Sequence, residues 1–83
     1  MIRPATEADA PRLVELTAAT GFFIPYEVDT LREVLADYFA GQPAHACFAS
    51  ESPGGVDGYV YLGEAEMADR TWYVWWLAVD PGA

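Results

Sequence analysis

Three carboxylates, Glu64, Glu66 and Asp69, fall close together with Met67 among them. Such a cluster could draw a cationic amine, and its ordinary alternative is a solvated loop. Just beyond it, Trp72, Trp75 and Trp76 share one apolar run. They could line a binding pocket, or they could fill a core. Tyr59 and Tyr61 have strand spacing, so their hydroxyls could bond a ligand or their rings could form an outward aromatic ladder. His45 and Cys47 also share a strand face, but a metal site needs more ligands than these two. A His–Cys nucleophilic pair needs hydrogen-bond reach and a third, orienting group, which neighbours along one strand rarely have. Both therefore read as structural. No Ser-His-Asp arrangement can be assembled around His45.

Residues with strong backbone limits mark out the helices and strands that carry these side chains. Pro4 biases Arg3 toward extended geometry, so residues 1–5 open with a short strand. Asp9 serves as N-cap of a first helix, which places Pro11 in the first turn where its missing N–H costs nothing. Ala10, Leu13, Val14, Thr17 and Ala18 recur at helical spacing with Leu16 on the flank, and Gly21 ends the helix. Pro25 opens a second helix with the apolar stripe Val28, Leu31, Val34, Leu35, Tyr38 and Phe39, stopped by Gly41 and Pro43. After Pro43 the period changes to two. Residues 44–50 form a strand, Ser52-Pro53-Gly54-Gly55 a turn, 56–64 a second strand, 64–70 a polar loop and 71–79 a last strand. The order is β-α-α-β-β-β, an α+β class.

Composition narrows the function. The 83 residues carry 4 Lys+Arg against 13 Asp+Glu, for a net charge of −9. Phosphate backbones need clustered cations, so nucleic acid is not an expected partner. The same acid excess argues against an anionic membrane surface. The opening Met1-Ile2-Arg3-Pro4 has no apolar stretch of the secretory kind, which leaves the cytoplasm as the expected compartment. One cysteine excludes an intramolecular disulfide. The apolar fraction of 53% is high for a chain this small, which should be more polar than average. The last strand concentrates the excess. A strand apolar on both faces expects cover above and below, and as an outer edge it invites association. A single domain interrupted in its middle is the expectation.

Ile2-Arg3-Pro4-Ala5-Thr6-Glu7-Ala8-Asp9 resembles the opening of GNAT-type N-acetyltransferases, a first strand reading I-R-x-A-T followed by the xxD start of a helix. Gly58-Tyr59-Val60-Tyr61 resembles that superfamily's third strand. Trp76-Leu77-Ala78-Val79-Asp80-Pro81 resembles the end of its fourth, commonly L-x-V-x-P. The resemblance runs along residues 1–83 but takes in only the N-terminal half of the family's domain, and so implies a partial GNAT fold with an antiparallel sheet segment and two helices. The family's next segment, a Q/R-x-x-G-x-G/A loop opening a helix that holds the acetyl-CoA pyrophosphate, has no counterpart here. Gly54-Gly55 reads as a hairpin turn instead.

For site residues the resemblance implies the following. The backbone of Leu77, Ala78 and Val79 pairs, strand-like, with the pantetheine arm of acetyl-CoA. Phe22, Phe23, Tyr26, Glu64, Glu66 and Trp75 lie on the acceptor side, with Glu64 or Glu66 as a general base for a primary amine. Without the pyrophosphate loop, the isolated chain is expected to lack efficient transfer. The rival expectation is a non-catalytic or split module that associates through its last strand, as a homo-oligomer or with a complementary C-terminal half.

Overall fold

The computed structural model describes residues 1–41, 44–64 and 72–80. In chain order the elements are β1 (Ile2–Pro4), α1 (Ala10–Ala19), α2 (Pro25–Phe39), β2 (His45–Ser52), β3 (Gly55–Glu64) and β4 (Trp72–Val79). The strands form one antiparallel sheet in the order β1-β2-β3-β4, with both helices on the same face.

Local chemistry sets the boundaries. A short 3-10 turn over Glu7–Asp9 leads into α1. Its entry is fixed by Asp9 Oδ2, which accepts from the Thr6 N–H at 2.7 Å and the Thr6 hydroxyl at 3.1 Å. Asp9 is the N-cap as expected, yet its carboxylate serves this preceding turn and Arg3 instead of the N–H groups of α1. Pro25 starts α2, and Glu27 Oε1 reaches back to the Ile24 N–H at 3.0 Å. Gly41, at φ +121°, takes a backbone conformation that a side chain would oppose and turns the chain out of α2. Gly55, at φ +115°, does the same in the β2–β3 hairpin.

The core lies between the helices and the sheet: Leu13 and Leu16 from α1, Leu31 and Leu35 from α2, and Cys47, Ala49, Tyr59, Tyr61 and Ala78 from the strands. The stripe read along α2 is the buried one. On α1 the outcome differs, because the helix turns Leu16 fully inward with Leu13 and Thr17 and leaves Ala18 exposed.

The tyrosines of β3 also correct the expectation. They form neither an outward ladder nor a ligand-binding pair, since both are buried against the helices. Thr17 gives its single hydroxyl proton to Leu13 O at 2.9 Å, so the Tyr59 hydroxyl is the donor in its 2.5 Å bond to Thr17 Oγ1. Tyr61 shares a hydrogen bond with His45 Nδ1. Each pair lets a large ring fill the core while its polar tip stays satisfied.

Two arginines clasp the periphery. Arg3 grips both Asp9 oxygens, at 2.8 and 2.9 Å, and reaches Glu51 Oε1 at 3.1 Å, tying β1 to the start of α1 and to β2. Arg12 donates to Val56 O at 2.9 Å and to Asp80 Oδ2 at 2.9 Å, and it pairs with Glu15. It thereby joins α1 to the start of β3 and the end of β4. No helix among the described residues is long and apolar enough to cross a membrane.

Candidate functional site

The sheet's two faces could hardly differ more. On the face away from the helices lie Phe48, Val60, Leu62, Val74, Leu77 and Val79, placed together by the β2–β3 and β3–β4 registers. Val74, Leu77 and Val79 are 59, 58 and 57% exposed. Among the described residues this face has no cover, and β4 pairs only with β3.

The open edge of β4 has a definite hydrogen-bonding pattern. The Asp80 N–H donates to Asp57 O at 2.8 Å, which makes this directly opposed couple a hydrogen-bonded pair. Pairs alternate along an antiparallel ladder, so Tyr59–Ala78 is hydrogen-bonded while Gly58–Val79 and Val60–Leu77 are not. Ala78 thus spends its backbone groups on β3. Leu77 and Val79 turn their N–H and C=O outward, toward the unpaired edge. Of the three backbone positions singled out in the sequence, two face the open edge and one faces β3.

Just upstream the ladder slips. Tyr61 pairs with Trp76 but Leu62 pairs with Val74, so Trp75 is an extra residue in β4. This β-bulge swings its indole onto the helix side of the sheet, where strict alternation would have left it on the open face with Leu77. The indole settles over Gly63: a Cβ added there would lie 2.6 Å from Trp75 Cε2. The His45 ring stands edge-on to it at 4.7 Å, with Tyr61 at 6.4 Å and Tyr38 beyond, 5.5 Å from Tyr61. Half of Trp75 still faces solvent, at 49% exposure. Trp76 is half-buried, its ring 5.5 Å from Phe23 in the α1–α2 connector.

The structure therefore gathers part of the predicted acceptor side and scatters the rest. Phe23 joins Trp76 and Trp75 joins His45 and Tyr61, whereas Phe22 and Tyr26 stand exposed in solvent. Glu64 ends β3 beside the Trp75 seat, but its side chain, like Glu66, Met67 and Asp69, lies outside the described residues. The Gly63 seat and the His45–Tyr61 pair were not singled out from the sequence. A glycine inside a strand marks a bulge or a close approach, so Gly63 carried a usable signal.

Electrostatics limits the chemistry. Burial pushes the Cys47 thiol up to about 12, so it offers no thiolate at neutral pH. Burial likewise raises the Tyr61 phenol to about 12, which keeps it protonated beside His45. A cleft of about 490 Å³ between α1 and α2, lined by Val14, Arg32, Leu35 and Phe39 among others, holds none of the predicted site residues.

No protein-family model matches the sequence, and no curated protein matches it either. A solved structure does: a protein from Desulfovibrio desulfuricans assigned to the GNAT family of acetyltransferases superposes with a TM-score of 0.87 at 23% identity. The match covers 99% of this chain and 53% of that one, so the chain spans about half the length of the protein it resembles. The fold is thus a partial GNAT fold, α+β, with two helices on a four-stranded antiparallel sheet.

Proposed function

We propose that this chain forms the acyl-donor-binding half of an acetyltransferase that moves acetyl from acetyl-CoA to a primary amine. The observation that carries the reading is the outer edge of β4, where Leu77 and Val79 hold backbone donors and acceptors outward beside a bulge. A pantetheine arm contains amides of peptide-like spacing and can add to such an edge as a strand would. The fit is partial. None of the described residues forms a glycine-rich turn opening a helix, and the Gly54-Gly55 turn joins two strands, so nothing here cradles a diphosphate. Acetyl-CoA is the substrate that supplies the thioester. With Cys47 buried and protonated, direct attack of the neutral amine on the thioester carbonyl is favoured over an enzyme-bound acetyl: the C–N bond forms, the C–S bond breaks, and the proton lost from nitrogen passes through solvent to the departing CoA thiolate, leaving the amide and free CoA. Backbone groups that orient the acyl donor supply rate through positioning.

The uncovered face supports a companion statement. Its exposed apolar side chains are of the kind that a complementary half would cover. On its own the 83-residue chain therefore binds acetyl-CoA weakly and transfers acetyl inefficiently. Titration with acetyl-CoA, followed by backbone amide NMR, tests both parts. The expected result is millimolar binding that shifts the Leu77 and Val79 amides and spares Ala78. Micromolar affinity would overturn the missing-cradle argument, and binding without shifts at those two amides would overturn the edge as the donor site.

A further inference from the structure

We propose that the cleft between α1 and α2 binds a small linear zwitterion, an unbranched ω-amino acid. Its ammonium meets Glu7, its carboxylate meets Arg32, and its methylene chain lies on the apolar floor between them.

The cleft, of about 490 Å³, has the size of a small-molecule site. Its lining comes wholly from the 3-10 turn, α1 and α2, so its occupant is a second ligand and not the acyl acceptor. Pro11, Val14, Leu35 and Phe39 supply most of the apolar surface. The two charged side chains in the lining, Glu7 and Arg32, have opposite signs and are not paired with each other. The helices run antiparallel: Ala18 shares a neighbouring depression with Val28, whereas Ala10 and Val14 share this cleft with Leu35 and Phe39. Glu7, which precedes α1, therefore belongs to the Phe39 end and Arg32 to the opposite end. Seven positions separate Arg32 from Phe39, about 10 Å along the helix.

Neither charge is committed elsewhere. Arg3 and Arg12 hold their acids at hydrogen-bond distance, whereas Arg32 meets Asp29 at 3.8 Å and its side chain is 64% exposed. The Glu7 carboxylate has no partner among the described residues. These facts select the ligand. A monocarboxylate would meet Glu7 and the field of a chain of net charge −9. A simple ammonium would leave Arg32 unanswered. A zwitterion answers both groups and carries no net charge to be repelled. The floor presents no side-chain donor or acceptor, so a peptide backbone of the same span would lose its water without replacement. A methylene chain has no such loss.

The test titrates the 83-residue chain with 8-aminooctanoate, whose extended length matches the separation of the charges, and follows the backbone amides by NMR. Octanoate, octylammonium and triglycine serve as controls; they remove the ammonium, the carboxylate and the apolar middle in turn. Saturable shifts at Val14, Leu35 and Phe39 are expected, with each control binding about fivefold more weakly at low salt. Glu7→Gln should erase the advantage over octanoate, and Arg32→Gln the advantage over octylammonium. Both side chains lie on the surface, so neither variant threatens the fold. Equal affinity for 8-aminooctanoate and any control overturns the inference, as does an advantage that survives the matching substitution. Shifts confined to Leu77 and Val79, or none that saturate, overturn it too. Acetyl-CoA titrated separately reads the β4 edge, so either proposal fails without the other.

Discussion

The two faces of the sheet are built from similar side chains and do opposite things. On the helix side, Leu13, Leu16, Leu31, Leu35 and Tyr61 are closed off from water, every hydroxyl there has a partner, and Arg3 and Arg12 lock the rim. On the other side, Val74, Leu77 and Val79 are as apolar and stay wet. The difference shows that apolar character alone does not place a residue in this core: one set is covered by the helices, and the other has no cover among the described residues.

Removing the same mass from each face should separate the two faces most clearly. Leu31→Ala should cost about 2–5 kcal/mol in urea unfolding, because a fully buried side chain leaves a cavity. Leu77→Ala should cost about 1 kcal/mol or less, since its side chain is already largely hydrated. Comparable losses would mean that the open face is covered in solution.

A smaller effect probes the polar tips of the closed face. Tyr59→Phe removes the proton donated to Thr17 and should cost about 1 kcal/mol. It should also act on the alkaline limb of stability. Burial raises the Tyr59 and Tyr61 phenols from 10.0 to about 12, so their share of stability is complete below pH 10 and is lost as pH rises through about 12. Tyr59→Phe should flatten that limb in a pH series of thermal melts, and an unchanged limb would contradict the burial.

The rim gives the smallest effect, with the opposite sign. Hydrogen bonding from Arg3 holds the Asp9 carboxyl well below the usual carboxylate range. Its contribution is present above the unfolded carboxylate pKa and fades as pH falls below it toward the folded value. Asp9→Asn should therefore lower stability at neutral pH and reduce the fall on acidification. A variant that loses stability equally at every pH would show that the carboxylate's charge is not what matters.

Much of this architecture was legible in the sequence, for identifiable reasons. Pro25, Gly41 and the β2–β3 turn punctuate the chain with residues whose backbone limits are strong, and the α2 stripe has a single apolar face, so only one packing suits it. Where two faces compete, the sequence falls silent. Around Tyr59 and Tyr61, alternation separates them from Val60 and Leu62, but both sets are apolar, and only the helices decide which set turns inward. On α1 a small rotation exchanged Ala18 for Leu16. The seating of Trp75 over Gly63 depends on a register slip between β3 and β4, which side-chain type alone does not encode. Of the residues singled out, Phe23 lies against Trp76 and Trp75 against His45, Leu77 and Val79 face the open edge, Ala78 turns its backbone groups to β3, and Phe22 and Tyr26 stand apart in solvent.

Hydrogen exchange along β4 reads the open edge residue by residue in the free chain. Slow exchange at Trp76 and Ala78 with fast exchange at Leu77 and Val79 is the expected pattern, and acetyl-CoA should slow the latter pair alone. Uniform protection from 76 to 79 without ligand would contradict the account, since it would mean that a neighbouring strand already occupies the edge on which the proposed activity depends.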